Sequence, residues 1–534
     1  MGGNPILDHT SVGALDQQRG CVRRWFRLSS VTEVLNICSV SALLLLALRF
    51  RVGGLLGNSL WLDEAWVGLN AKAATFEQFL LSVSVTPVGF ALATKASLSL
   101  FVGESELGAR FLPLLFSIAT LALAYAFARQ LGGRVSGLAS LLLLGFQPVL
   151  IDYAKVLKPF SADSALAIAI LLVGYYWTVG PTRRRTIALV AVLVLAPAFS
   201  HPAIMVSCTF VGAMLVDAVL RHKSDRPIAN LVSRRATVVV TAALLAATGF
   251  GVFALRYRND ALREFWRQSY LPADPLAAAT LGYDRLVHLI APGPGLGLLM
   301  LIMAMIAVVW SIKKGQYYLA AFLPILVGGS LLAAMLSFYP FGDPRTDHYL
   351  LAAVLTYAGS GLGIAFSWFQ GRARVIALLG LVLLGLWWAS GVPWDSLCGF
   401  KHREQVAPLV RILEAEQRAG DTVIVYYSTT YAYAYYSKGG SWRLVPATDG
   451  NATGFEVEFQ DASVNRLTNH RGENAAYSAD IARIIAANPN GRVWYIQSHI
   501  FGDEGQSIPA QIAHYGRVAS RWDETNASLV LFER

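Results

Sequence analysis

Eleven long apolar stretches constrain the fold of this chain more than any other feature of its sequence. A helix needs about 20 mostly apolar residues to cross the hydrocarbon core of a bilayer. The stretches lie at residues 31–50, 109–128, 135–151, 164–180, 187–200, 202–220, 236–255, 293–312, 317–338, 349–369 and 375–391. Only 15% of the 534 residues are charged, whereas a soluble protein carries about 25%. The sequence therefore predicts a polytopic α-helical membrane protein with about eleven transmembrane helices.

The basic residues indicate how these helices are oriented. The net charge of +10 comes from Lys and Arg residues, most of which fall in short loops between the apolar stretches. This is the positive-inside pattern of membrane proteins, so the charge does not indicate a nucleic-acid partner. The basic loops all share the cytoplasmic side only if residues 86–102 do not cross. We expect this short stretch, which contains Pro87 and Lys95, to form an interfacial or re-entrant helix; an ordinary span is the alternative.

This topology divides the chain into three parts. Residues 1–30 form a cytoplasmic segment, residues 31–391 form the membrane domain, and residues 392–534 form a tail outside the cytoplasm. We expect the protein in the plasma (inner) membrane. Four loops then lie on the outer side with the tail, at residues 51–108, 152–163, 256–290 and 339–349.

The tail has the pattern of a small α/β domain. Predicted helices and strands alternate along it. The helices are predicted at His402–Arg418, Thr430–Ser437 and Ser507–Tyr515, and the strands at Thr422–Tyr427, Arg492–Ser498 and Ser528–Phe532. The tail has no glycine-rich phosphate-binding motif, so a structural, acceptor-binding or partner-binding role is favoured over a nucleotide site.

An acidic pair, Asp63-Glu64, follows the first apolar stretch and is flanked by Trp61 and Trp66. Carboxylates at a membrane face are costly unless they meet water or a ligand. The pair is suited to a general base with an orienting carboxylate or a metal ligand. Asp63 could instead cap a helix, because Trp66–Leu81 has the spacing of an amphipathic helix lying on the bilayer.

The second outer loop places two cations beside two carboxylates. Lys155 and Lys158 lie three residues apart, so both can face one way on a helical turn and neutralise a phosphate. Asp163 could orient an acceptor hydroxyl, and Asp152 begins the same loop. The alternative is ordinary snorkelling of Lys side chains at the interface.

Two further positions indicate an anion site. Arg110 closes the first outer loop, and an Arg fork matches phosphate oxygens; a local salt bridge to Glu104 or Glu106 is the alternative. The loop 339–349 carries further candidate phosphate ligands, for which a plain polar turn is the alternative. These candidates are Tyr339, Arg345, His348 and Tyr349.

These residues together predict a phosphate held outside the membrane beside a carboxylate base. A lipid phosphate brings its own anchor, and a sugar on that phosphate has a good leaving group. The arrangement suits attack of an acceptor hydroxyl on the anomeric carbon, with a carboxylate removing the proton and cations stabilising the departing phosphate. A single displacement inverts the anomeric configuration.

The chain resembles the GT-C superfamily of membrane glycosyltransferases, in particular the protein O-mannosyltransferase and aminoarabinose-transferase-like group (glycosyltransferase family 39-like). The resemblance covers about residues 30–390. It rests on Asp63-Glu64, Thr86-Pro87, Glu106 to Arg110, the loop with Lys155, Lys158 and Asp163, and Tyr339-Pro340-Phe341-Gly342 with Arg345.

The resemblance implies a GT-C fold, a polyprenyl-phosphate-sugar donor, a lipid or glycan acceptor, and Asp63 as base. It also implies that Arg110, Lys155, Lys158 and Arg345 bind the donor phosphate or the acceptor. Aminoarabinose transferases carry a Lys-Pro-Pro-Leu-like motif where this chain has Val85-Thr86-Pro87-Val88, so Lys95 or Lys155 would replace that Lys. No cofactor is certain; metal dependence varies in this group, and a divalent metal is possible.

Two other functions remain open at this stage. A lipid-linked-sugar transporter or flippase would carry charged residues in mid-span and two halves of similar pattern. A non-catalytic cell-envelope assembly protein would keep its full function without Asp63.

Overall fold

The computed structural model describes residues 31–82, 85–101, 105–222, 234–256, 260–291, 293–390, 403–438, 442–447 and 454–534. The predicted cytoplasmic segment 1–30 and the junction near residue 391 lie outside these residues. The helices of the membrane domain are α1 (Val31–Val52), α2 (Leu62–Lys72), α3 (Phe76–Leu80), α4 (Val88–Leu100), α5 (Ser105–Gly132), α6 (Arg134–Gly145), α7 (Pro148–Tyr153), α8 (Phe160–Val179), α9 (Arg183–Phe199), α10 (Ala203–His222), α11 (Arg234–Arg256), α12 (Asp260–Phe265), α13 (Pro275–Ile290), α14 (Pro294–Lys313), α15 (Tyr317–Met335), α16 (His348–Ser367) and α17 (Gly371–Ser390).

Ten of the eleven predicted stretches each fall on one of these helices, and the stretch 135–151 falls on α6 and α7. Within the described residues, seven segments are long and apolar enough to cross a membrane. They are Glu106–Gly132, Phe160–Val179, Ala203–Arg221, Arg235–Phe253, Pro294–Lys313, Tyr317–Met335 and His348–Ser367. The polytopic helical fold is confirmed, and the number eleven stays a prediction.

The predicted span 135–151 is not one continuous helix. α6 ends at Gly145, and Pro148 starts α7 after a two-residue break, because Pro suits the first turn of a helix and not its interior. The last carbonyls of α6 are satisfied by the buried Arg51, whose guanidinium donates to Leu144 O at 3.1 Å and Gly145 O at 2.8 Å.

The first outer loop also differs from its prediction. The single amphipathic helix expected at Trp66–Leu81 is two helices, since α2 ends at Lys72 and Thr75 caps α3 by accepting from Gln78 N at 3.3 Å. Most residues of α2 are buried against other parts of the protein. A Cβ at Gly68 would lie 2.6 Å from the Tyr435 ring of the C-terminal domain, so only glycine allows this approach.

The short stretch at residues 86–102 forms α4. It has 13 residues, which is about 20 Å of helix and less than the roughly 30 Å of a bilayer core. α4 contacts α2 and α5. Its length fits the predicted interfacial or re-entrant helix.

The centre of the membrane domain is α16, which is buried along nearly its whole length. It contacts α6 closely, with Ser136 Oγ donating to Ser360 O at 2.9 Å and Ser140 Oγ donating to Thr356 O at 3.0 Å. Small residues at such crossings let helices approach and form interhelical hydrogen bonds in a membrane. These contacts fix α16 against α6, and α16 begins at His348, one of the predicted site residues.

The C-terminal region is the predicted small α/β domain. Its helices are α18 (Val406–Glu416), α19 (Thr430–Tyr436), α20 (Asn474–Ala487) and α21 (Glu504–Ile512). Its strands are β1 (Thr422–Val425), β2 (Trp442–Pro446), β3 (Phe455–Phe459), β4 (Val464–Arg466), β5 (Val493–Ser498), β6 (Arg517–Glu524) and β7 (Ala527–Glu533).

The main sheet of this domain has the order β4-β1-β5-β7-β6. β1 is parallel to β4 and β5, and β7 is antiparallel to β5 and β6. The sequence predicted β1, β5 and β7 but not β6, whose residues are mostly exposed and lack a clear apolar run. It also missed the separate β2–β3 hairpin, β4 and α20.

Candidate active site

Asp63 lies in the first turn of α2 and is half-buried. The N-cap of this helix is Trp61, which makes no side-chain capping bond, so the interpretation of Asp63 as the cap is wrong. Across the described part of the chain, no side chain or backbone N–H donates to the Asp63 carboxylate or pairs with it. The Asp63 carboxylate is therefore left without a hydrogen-bond or ion-pair partner among the described residues.

The adjacent carboxylate, that of Glu64, is in contrast paired and hydrogen-bonded. Glu64 is fully buried and forms a two-bond ion pair with Arg110, from Nε at 2.9 Å and Nη2 at 2.7 Å. The other three N–H groups of Arg110 donate to the carbonyl oxygens of Leu55, Asn58 and Ser59 at 2.9–3.2 Å. All five donors of the guanidinium are thus occupied.

Glu64 also accepts a hydrogen bond from the Leu157 backbone N–H at 2.8 Å. The ion pair therefore joins the first outer loop, α2, α5 and the loop that carries Lys158. Oε1 of Glu64 thus accepts two hydrogen bonds and Oε2 accepts one, while every N–H of the Arg110 guanidinium has an acceptor. The structure places both residues where they hold the site together, and the catalytic role of Glu64 and the phosphate-binding role of Arg110 stay predictions.

Lys158 supplies a cation beside Asp63. Its side chain is 6% exposed, and Nζ lies 3.6 Å from the centroid of the Trp66 ring. No carboxylate of the described ranges forms an ion pair with it. Burial lowers its pKa to about 8, against the opposing charges of Asp63 and Glu64 and with a smaller lowering effect of Arg345.

Arg345 supplies a second cation from the loop before α16. Its guanidinium pairs with Asp343 at 3.1 Å and lies 4.6 Å from the Trp266 ring centroid. Burial lowers its pKa, but the hydrogen bond and charge of Asp343, followed by the charges of Tyr153 and Asp63, raise it overall. Asp63, Lys158 and Arg345, which are distant in sequence, therefore lie close enough to influence one another's charge.

Two residues that the sequence reasoning missed adjoin this group. Arg403, the first described residue of the C-terminal region, lies over the Trp61 ring at 4.4 Å and hydrogen-bonds Tyr153. Burial raises the pKa of Tyr153, whereas the charges of Arg403 and Arg345 oppose this rise. A basic residue after the last apolar stretch, on the side that has few basic residues, was the signal for Arg403.

Comparison with known proteins decides the fold. The model of a family described as dolichyl-phosphate-mannose-protein mannosyltransferase matches residues 85–250. The apo oligosaccharyltransferase of Archaeoglobus fulgidus is 10% identical, with a TM-score of 0.55 over 92% of this chain and 72% of that one. ArnT from Cupriavidus metallidurans bound to undecaprenyl phosphate is 12% identical, with a TM-score of 0.53 over 94% and 98%. The chain has the GT-C fold.

A further structure of the archaeal oligosaccharyltransferase, in complex with Zn and sulfate, is 12% identical, with a TM-score of 0.53 over 86% of this chain and 67% of that one. No curated protein sequence matches the chain. The resemblance to the GT-C superfamily drawn from the sequence is confirmed.

The remaining predicted residues of this GT-C protein form a deeper polar layer. The His348 ring stacks on Phe160 with centroids 5.5 Å apart and meets the Tyr153 ring edge-on at 4.9 Å. Its ring nitrogens have no hydrogen-bond partner among the described residues. The layer is completed by the buried Asp163, Tyr339 donating to Thr346 O at 3.2 Å, and Tyr349 bonded to Ser330 Oγ at 2.7 Å.

Lys155, Asp152 and Lys95 have different placements. Lys155 is buried within the same loop as Lys158, and Asp152 is half-buried in α7. Lys95 is exposed and donates to Ala73 O at 3.0 Å, at the far end of α2 from Asp63. That separation is about 15 Å along the helix, so Lys95 lies apart from the group around Asp63, and its role as a donor-phosphate Lys stays a prediction.

A divalent metal fits poorly beside Asp63. Within the described residues there is no group of three or more His, Cys, Asp or Glu side chains with the placement of metal ligands. The nearest carboxylate in sequence, Glu64, is committed to Arg110, and the groups facing Asp63 are cations. Cations in this position repel a metal ion.

Proposed function

We propose that this GT-C protein is an inverting glycosyltransferase. It transfers a sugar from a polyprenyl phosphate to a hydroxyl of a lipid or polysaccharide acceptor outside the cytoplasm. One observation carries the proposal: an Asp63 carboxylate with no direct partner among the described residues lies beside Lys158, a nearly buried cation without an ion-pair partner there. Buried charges are costly unless paired, so the arrangement favours a ligand with both a proton to lose and a negative charge.

The reaction follows from these charges. Asp63 takes the proton of the acceptor hydroxyl as its oxygen attacks the anomeric carbon. The bond between that carbon and the phosphate oxygen breaks on the opposite side, and its electron pair leaves with the polyprenyl phosphate. Lys158 and Arg345 stabilise the negative charge on the departing phosphate. One displacement inverts the anomeric configuration.

The other residues support this step. Glu64 and Arg110 hold the first turn of α2 against the Lys158 loop, which fixes the distance between base and cation. Asp163, with one carboxylate oxygen free of any partner among the described residues, orients the acceptor hydroxyl in this proposal. Lys155 and Asp152 belong to the same loop and shape the site around the phosphate.

The lipid-linked donor is supported by two comparisons. The family model that matches residues 85–250 is that of a dolichyl-phosphate-mannose-protein mannosyltransferase. ArnT, whose structure this chain resembles over 94% of its length, was solved with undecaprenyl phosphate. The positive-inside distribution of Lys and Arg supports an active site on the extracytoplasmic side.

A transfer assay tests the proposal. Purified protein in detergent is offered a panel of short-chain polyprenyl-phosphate sugars, with Asp63→Asn and the exposed carboxylate variant Glu77→Gln in parallel. We expect wild type and Glu77→Gln to release polyprenyl phosphate at similar rates and Asp63→Asn to release it about 10²–10⁴-fold more slowly. NMR of the product should show the inverted anomer. Release by Asp63→Asn at the wild-type rate would refute the assignment of the base.

A further inference from the structure

The first described residues of the C-terminal domain hold the segment that precedes Asp63. Gln405 Oε1 accepts hydrogen bonds from Ser59 N at 3.2 Å and Ser59 Oγ at 3.0 Å. Glu404 Oε2 accepts one from the backbone N–H of Leu62, the first residue of α2, at 3.1 Å. The C-terminal domain therefore fixes the beginning of the helix that carries Asp63.

Arg403 is held over the site by this attachment. Its guanidinium lies 4.4 Å from the Trp61 ring centroid and 5.9 Å from that of Tyr153, whose hydroxyl it hydrogen-bonds. Aromatic rings orient a guanidinium without neutralising it. Nowhere in the described ranges does a carboxylate form an ion pair with Arg403.

The acidic residue next to Arg403 is engaged elsewhere. Glu404 Oε1 shares a hydrogen bond with His499 Nδ1 at 2.6 Å, while its other oxygen accepts from Leu62. His499 has a positive φ of 51°, a conformation that is unfavourable for a residue with a Cβ and that recurs at functional sites. Glu404 is thus a positioning residue and leaves the charge of Arg403 uncompensated.

A second guanidinium, that of Arg345, acts electrostatically on the same tyrosine. Both guanidinium groups influence the charge of Tyr153, and only Arg345 has a carboxylate, Asp343, paired with it. These two guanidiniums and the single carboxylate of Asp343 leave an excess positive charge near the half-buried Tyr153. An anion with several oxygens satisfies this arrangement, because an Arg fork donates two parallel bonds to phosphate.

We propose that Arg403 binds the phosphate of the lipid-linked donor together with Arg345, across the Tyr153 hydroxyl. The C-terminal domain then supplies part of the donor site and is not merely attached to it. This inference rests on the proposed function, because it names a residue that contacts the proposed donor.

Binding of lipids to the full-length protein in nanodiscs tests the inference. The probes are a short-chain polyprenyl phosphate and the uncharged polyprenol of the same length. The variants are Arg403→Gln, Arg403→Lys and the exposed, matched Arg418→Gln, each checked for its thermal unfolding. We expect Arg403→Gln to weaken polyprenyl phosphate binding by about ten- to a hundredfold, as for loss of bonds to a charged group. Polyprenol affinity should not change, Arg418→Gln should match wild type, and Arg403→Lys should fall between.

The possible results separate the two proposals. If wild type does not discriminate polyprenyl phosphate from polyprenol, the proposed donor class fails. If wild type discriminates but Arg403→Gln binds polyprenyl phosphate equally well, only the role of Arg403 fails. If the only effect of Arg403→Gln is a raised KM for the acceptor in the transfer assay, the role of Arg403 in phosphate binding also fails, because the arginine would then bind the acceptor. Loss of polyprenol binding would indicate a folding defect and equally count against a specific phosphate contact.

Discussion

Two clusters that each combine a carboxylate with a cation lie side by side in this protein and differ in how their charges are satisfied. In the first, Glu64 and Arg110 are completely buried, and every guanidinium donor has an acceptor. In the second, neither the Asp63 carboxylate nor the Lys158 ammonium has an ion-pair partner among the described residues, and Lys158 Nζ lies over the Trp66 ring. The two carboxylates are neighbours in the sequence.

The difference distinguishes a supporting cluster from a reactive one. A saturated ion pair excludes ligands and stabilises one geometry, because removing either partner strands a buried charge. An unsaturated carboxylate near cations keeps its reactivity and has free lone pairs for a substrate. In this protein the first cluster fixes the positions of the groups in the second, since Glu64 bonds both Arg110 and the loop of Lys158.

The largest effect should come from Asp63→Asn. An amide of the same shape cannot accept the acceptor proton, so we expect the transfer rate to fall by about 10²–10⁴-fold, the contribution of a general base. The midpoint of thermal unfolding should stay near that of wild type, since no described residue depends on the carboxylate. Rates and unfolding curves measured on one preparation check both parts. A large loss of stability would place Asp63 in the supporting cluster instead.

Glu64→Gln should show the reverse pattern. The change leaves the Arg110 guanidinium buried without its counter-charge, so we expect a loss of about 3–5 kcal/mol of stability. Thermal unfolding in detergent, with Glu77→Gln as the exposed control, measures this loss. Activity should fall only in proportion to the folded fraction. An unchanged unfolding midpoint would show that the ion pair is not a supporting element.

Lys158→Gln should weaken donor binding with little change in folding. A neutral side chain loses a charge-assisted bond to the phosphate, which costs about 1.5–3 kcal/mol of binding free energy. Titration of the variant with polyprenyl phosphate, beside the exposed Lys313→Gln, provides the measurement. Equal affinities in the two variants would remove Lys158 from the donor site.

The pH dependence of donor binding tests whether the Lys158 ammonium, unlike the buried ion pair, contacts the donor. Burial lowers the pKa of Lys158 to about 8, so the ammonium form prevails below this pH and is lost above it. We therefore expect the affinity for a sugar phosphodiester to be constant at lower pH and to decline as pH rises through about 8. Lys158→Arg should abolish the decline, because a guanidinium stays charged. A decline that persists in this variant would assign the titration to another group.

The sequence predicted the membrane fold from hydrophobicity and length, which are local properties. It predicted Asp63, Lys158 and Arg345 as site residues because polar groups at span ends are unusual, and the structure brings these three together. It also predicted Lys95, Glu64 and Arg110 by the same reasoning. Nothing in the sequence around these residues separates the two groups. Whether a charged side chain has all its hydrogen-bond partners depends on carbonyl groups and side chains that come from other parts of the chain.

What the sequence by itself determined is the class of the molecule: a helical membrane domain with an α/β tail and charged residues at the ends of its apolar stretches. The tertiary structure alone decided which of those charges meet. It saturated Arg110 with Glu64 and three carbonyl oxygens, moved Lys95 to the far end of α2, and brought Arg403 from the C-terminal domain to Trp61. The physical reason is that apolar burial follows from composition, whereas ion pairing depends on distances of a few ångströms that only the packed chain sets.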